Sequence, residues 1–155
     1  MAATASVARG TMTPAEAVQR ALERIEDHDR KGGAYRAIIG LVPEIDAQLE
    51  ALKALEPTHA PLYGVPLIVK DNIALKGLPT SAGSVALSGN IAAEDAALVA
   101  RVRAAGALII ARANLSEWAN FRDPRSVSGW SSLGGQTRNA YDPARNPCGS
   151  SSGSG

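Results

Sequence analysis

The sequence predicts an α/β fold, a sheet covered by helices. Two short apolar runs, Leu67-Ile68-Val69 and Ala107 to Ala111, have the length and branching of buried strands. Between them, Ala96 to Ala105 carries Leu98, Val102 and Ala105 at helical spacing and stops at Gly106, the residue type favoured just past a helix end. Strand, helix and strand joined by a short turn make a crossover unit, which sets the two strands parallel. A third observation lies upstream, where two amphipathic segments read as cover for that sheet.

Taken in order, residues 1–12 predict a loose start. Thr13-Pro14-Ala15-Glu16 then forms a capping box with proline at the first helical position. Val18, Ala21, Leu22 and Ile25 give the helix an apolar stripe as far as His28, and Gly32-Gly33 breaks it. Ala37 to Leu41 is short and β-branched, hence a strand. Pro43 opens a second helix with Ile45, Leu49 and Leu52 on one face, and Pro57 lies beyond its end. Asn114-Leu115-Ser116-Glu117 repeats the capping pattern and predicts a short helix through Phe121. From Arg122 onward the chain is rich in Gly, Ser, Pro, Asn and Arg. So long a loop is usually functional or disordered.

Composition narrows the possible roles. The 155 residues are 45% hydrophobic, enough for one core, and only 4% aromatic, so that core is aliphatic. Sixteen basic residues against fifteen acidic ones leave a formal charge of +1, which gives no footprint for nucleic acid or a membrane surface. A single cysteine, Cys148, excludes an internal disulfide and suits a reducing compartment. With no signal-peptide pattern at the N-terminus and no membrane-length apolar run, a cytoplasmic setting is expected.

Two stretches carry chemistry. Residues 61–72 (PLYGVPLIVKDN) end an apolar run on Lys70, and residues 146–155 (NPCGSSSGSG) concentrate serines among glycines. A serine hydroxyl is a poor nucleophile until a base takes its proton. His28, in a charged helix, and His59, in a proline-flanked loop, read as surface residues. A lysine serves as base if burial keeps it neutral. The residues alone leave alternatives open: Lys70 as a solvated strand end, and the terminal run as a flexible linker. They also allow a small α/β anion-binding or non-catalytic interaction module, although no lysine follows the glycines as a phosphate loop would require.

Four stretches favour the catalytic reading: GVPLIVKDNI (64–73), TSAGSVAL (80–87), LVARVRAAGALIIARANLSEWANFRD (98–123) and SGWSSLGGQTRNAYDPARNPCGSSSGSG (128–155). Together, and in this order, they resemble the N-terminal portion of amidase-signature enzymes and are most similar to bacterial peptide amidases. The resemblance implies a mixed β-sheet covered by helices, with residues 1–155 as a single partial domain. It implies a Ser–cis-Ser–Lys triad in which Lys70 is the lysine and Ser150 the bridging serine, preceded by a cis peptide. The nucleophilic serine and the oxyanion amides lie further downstream in that family, in the remainder of the amidase chain. The implied substrate is a small-molecule or peptide amide, such as a C-terminal peptide amide, with no cofactor and no metal. Ser151, Ser152, Gln136 and Trp130 are expected to position substrate or loop, with Thr137 and Arg138 beside them. Asp71 either orients Lys70 and its surroundings or caps a turn, the structural role being the one expected; Cys148 has no paired histidine nearby in sequence to make it a nucleophile, and packing is expected of it. Trp118 reads as cleft wall or as packing. Two positions depart from the family's usual pattern: Ala140, where proline is usual, and Gly155, where alanine is.

Overall fold

The computed structural model describes residues 6–7, 9–32, 34–121 and 123–155. Residues 1–5 and 8 of the expected loose start, Gly33 of the expected helix break, and Arg122 lie outside the described residues. Helix α1 spans Pro14–Arg24. Its capping box is reciprocal: Glu16 N donates to Thr13 Oγ1 at 3.2 Å, and Thr13 N donates to Glu16 Oε2 at 2.8 Å. The chain does not end its helix at His28 but widens into a π-helical segment, Ile25–Lys31. This segment buries Asp29, whose carboxylate accepts from Ala37 N at 2.5 Å and Ile38 N at 3.3 Å. The start of strand β1 (Ile38–Leu41) is thereby tied to the helix.

Helix α2 covers Ile45–Leu52, with Ile45, Leu49 and Leu52 facing the core as their spacing predicts. Strand β2 (Pro66–Lys70), helix α3 (Ala97–Ala104) and strand β3 (Leu108–Ala113) form the crossover unit. The two strands are parallel, with Lys70 opposite Ala113. Strand β1 joins the other side of β3 antiparallel, so the sheet is mixed and its order is β1-β3-β2. Gly106 adopts φ +92°, and a Cβ there would lie 2.8 Å from Tyr63 Cα, which requires glycine.

The core is split by the sheet. Leu108 and Ile110 pack with Val18, Ile25 and Leu52 from α1, its extension and α2. Ile109 packs on the other side with Val69, Leu75 and Val99. Three expectations need correction. The inward face of α3 is Val99 and Val102, with Ala96 at its N-cap packed beside them; Leu98 is 56% exposed. Both residue sets fit a helical period, and only the docking angle decides between them. Ile68 is 41% exposed, because β2 is an edge strand with one face open to a cavity. Residues 114–121 are not an α-helix: they form a 3-10 turn, Glu117–Asn120, in which Trp118, Ala119 and Asn120 take positive φ. The capping pattern fails there because Asn114 and Ser116 spend their side chains elsewhere, as described below. The long C-terminal stretch contains a small hairpin, β4 (Trp130–Ser131) with β5 (Gly135–Gln136). Among the described residues no helix is long and apolar enough to cross a membrane.

Candidate active site

The site lies at the carboxyl ends of β2 and β3, where open α/β sheets place their ligands. Lys70 is the last residue of β2. Pairing continues one residue further, since Asp71 N donates to Ala113 O at 3.1 Å, so the backbone beneath the lysine is held. The serine loop is folded onto the end of β3. Ser116 N donates to Ser150 O at 3.0 Å and Gly153 N donates to Asn114 O at 3.0 Å. Ser152 Oγ donates back to Cys148 O at 2.7 Å and closes the loop on itself. A Cβ on Gly149 would fall 2.5 Å from Ser152 Oγ and 2.7 Å from Ser116 Oγ, so a larger residue would force the serines apart. The Gly149–Ser150 peptide is cis.

This folding brings together two residues eighty positions apart. Lys70 Nζ donates to Ser150 Oγ at 2.7 Å. Among the described residues no carboxylate forms an ion pair with Lys70. Burial therefore acts on it without compensation and pushes the ammonium below its ordinary value of 10.5. An amine drawn towards neutrality beside a hydroxyl is equipped to take that hydroxyl's proton.

The remaining predicted residues divide. Ser152 is buried, and its hydroxyl is committed to the loop. Ser151 is exposed, and its carbonyl accepts from Ser154 N and Gly155 N. Gln136 Nε2 donates to Ser128 O and Thr137 O, each at 2.9 Å, so it ties the hairpin to its flanks. Thr137 is buried and donates to Arg36 O. Trp118 and Trp130 are 45% and 37% exposed, more than packing would leave. His28 and His59 are exposed, as expected. Cys148 corrects an expectation: its thiol is exposed, not packed, and its backbone carbonyl is what holds Ser152. Its backbone takes a positive φ of +61°.

Sequence reasoning missed the residue on which the loop rests. Asn114 is wholly buried. Its Nδ2 donates to Arg36 O at 3.1 Å, Gly135 O at 3.2 Å and Thr137 Oγ1 at 3.0 Å. Its Oδ1 accepts from Leu115 N at 2.9 Å and Ser131 Oγ at 2.7 Å. One side chain thus joins the approach to β1, the hairpin and the end of β3, while the backbone carbonyl of Asn114 seats Gly153. Ser116, also buried, accepts from Gly129 N at 2.8 Å. The available signal was an asparagine directly abutting an apolar strand, followed by Trp, Asn and Phe rather than a helical repeat.

A mixed α/β scaffold that presents a cis-serine loop to a strand-end lysine defines a narrow class of proteins. The chain belongs to the amidase family, whose model matches residues 16–155. The solved structure of native peptide amidase from Stenotrophomonas maltophilia superposes with a TM-score of 0.89 at 45% identity, covering 97% of this chain and 31% of that one. A probable amidase of Arabidopsis thaliana is 51% identical over 94 residues, which are 60% of this chain and 18% of that protein. A glutamyl-tRNA(Gln) amidotransferase subunit from Symbiobacterium thermophilum is 41% identical over 147 residues, 94% of this chain and 29% of that one. The chain thus spans less than a third of the length of each of these relatives.

Proposed function

We propose that this chain carries the base and the relay of an amide hydrolase that cleaves carboxamides, C-terminal peptide amides among them, through an acyl-enzyme. Lys70 is the base and Ser150 the relay. The nucleophilic serine comes from amidase sequence outside these 155 residues. Neutral Lys70 accepts the Ser150 proton while Ser150 accepts the proton of the nucleophile. The nucleophile's oxygen bonds to the carbonyl carbon. As the tetrahedral adduct collapses, the C–N bond breaks, and the proton returns through Ser150 to the nitrogen, which leaves as ammonia or an amine. Water then attacks the ester by the same relay and restores the serine. Ser151 and Trp130 border the substrate, Ser152 holds the serine loop, and Gln136 holds the neighbouring hairpin.

The observation that carries this reading is the 2.7 Å contact between Lys70 Nζ and Ser150 Oγ, with no carboxylate among the described residues to hold the lysine charged. The family membership supports it. The test is ammonia release from a peptide amide by an amidase-length chain containing this sequence. Lys70→Ala and Ser150→Ala should each lower turnover by about 10²–10⁴-fold, the usual cost of losing a proton-transfer group. Full activity in either variant would remove that residue from the mechanism.

A further inference from the structure

The residue after Lys70 is as tightly held as any in the molecule. Consecutive residues at a strand end project to opposite faces, so Asp71 points away from the serine loop. It is 0% exposed. Its carboxylate accepts from Arg112 Nη1 and Ser81 Oγ, and from Gly83 N at 3.3 Å. Arg112 comes from β3, opposite Val69 on one side and Gly40 on the other. Its Nη1 also donates to Pro79 O at 3.0 Å. A Cβ on Gly40 would lie 2.7 Å from Arg112 Nη2, so that glycine keeps room for the guanidinium.

Stability alone is a weak reason for such a pair, since apolar residues of similar volume often serve a core as well. The charges around Lys70 suggest a better one. Strand β1 and loop 146–155 carry no charged side chain, and β3 carries only Arg112. On the face beside Ile68, Arg24, His28, Asp29 and Arg138 line the open cavity. The Asp71–Arg112 ion pair is a closed, nearly water-free charge pair set against the strand end that bears Lys70, and its two opposite formal charges cancel.

We propose that Asp71 and Arg112 are positioning residues for Lys70: together they clamp its strand end and, by cancelling each other, leave no net charge beneath its amine. Removing either partner leaves the other as an uncompensated charge on the far side of a single sheet. At such range, in protein surroundings, a unit charge displaces an ionisation by about one pH unit.

The meaning of this device for catalysis rests on Lys70 being the base, but its test does not. The test is the NMR titration of Lys70 in the 155-residue chain labelled with ¹³C-lysine, the signal being assigned by its loss in Lys70→Arg. Asp71→Asn leaves Arg112 cationic and should lower the Lys70 midpoint by about one pH unit; Arg112→Gln leaves Asp71 anionic and should raise it by about as much. Asp71→Asn with Arg112→Gln should return it to within about 0.3 units of the parent, and this neutral pair also serves if a single variant does not fold. Ser81→Ala cuts a bond to the same carboxylate but moves no charge, so the midpoint should stay in place. Shifts of the same sign in both single variants, a double variant displaced by a full unit, or a Ser81→Ala shift as large as theirs would overturn the proposal. If these signs appear while Lys70→Ala spares amide turnover in the longer chain, the pair keeps its role and the base assignment falls.

Discussion

Replacing Asn114 by alanine should be among the most damaging single changes available in this chain. The substitution removes five hydrogen bonds at a site with no exposure to water. Each such bond contributes about 1 kcal/mol net, and each buried group left unpaired costs about 1–3 kcal/mol. The five share one side chain, so their values do not simply add. Some unpaired groups will recover water as the hairpin loosens. A loss of about 3–5 kcal/mol follows, a large part of the ~5–15 kcal/mol that holds a domain together. Urea unfolding monitored through the tryptophans Trp118 and Trp130 measures it. With a urea slope of about 1–3 kcal/mol per molar, the midpoint should fall by about 2 M. Asn114→Asp is sterically equivalent but sets a carboxylate against three acceptors, and it should cost at least as much. Asn90→Ala is the control: its amide bonds Thr80 O at an exposed position, so the change should stay within about 0.5 kcal/mol. An Asn114→Ala loss below about 1 kcal/mol would refute the idea that this side chain holds the loop region together.

Other outcomes follow from the same geometry. Gly153→Ala places a Cβ 2.8 Å from Asn114 O and against Ala37 O, so it should cost about 1–3 kcal/mol in urea unfolding and lift the loop away from β3. Cys148→Ala should leave turnover of an amidase-length chain within a few-fold of the parent, because the thiol is exposed and only the backbone is used. Amide turnover should rise with pH as Lys70 loses its proton, with a midpoint below 10.5. Stability has a related sign. Lys70 ionises less readily folded than unfolded, so the unfolded chain binds more protons between the lowered value and 10.5, and stability should rise with pH across that window. Lys70→Met should therefore raise the urea midpoint at pH 7, with a gain that shrinks as the pH climbs towards 10.5.

What could be read from the sequence was local or familial. The Thr13–Glu16 box and the stripe after it specify α1, because both partners of each contact lie within one turn. The parallel β2-α3-β3 unit was legible because two apolar runs flank a helix that ends on Gly106. The exposure of Ile68 was not legible, since it depends on what else covers β2. The π-helical widening at Ile25 was equally hidden, because it serves a carboxylate contact with Ala37 and Ile38 across a turn. Lys70 and Ser150 were joined only by resemblance to a family, for no spacing rule links residues so far apart. Asn114 escaped because its partners are backbone carbonyls at Arg36 and Gly135, which no side-chain pattern announces.

The relay assignment is tested most directly by giving the purified 155-residue chain a peptide amide and measuring released ammonia beside a Ser150→Ala control. If the nucleophile and the donors for the tetrahedral oxyanion belong to amidase sequence outside these residues, as proposed, their loss, about 10²–10³-fold for the donors alone, should leave both proteins at background. Ammonia release that disappears in Ser150→Ala would contradict the assignment and make one of the serines of this loop the nucleophile itself.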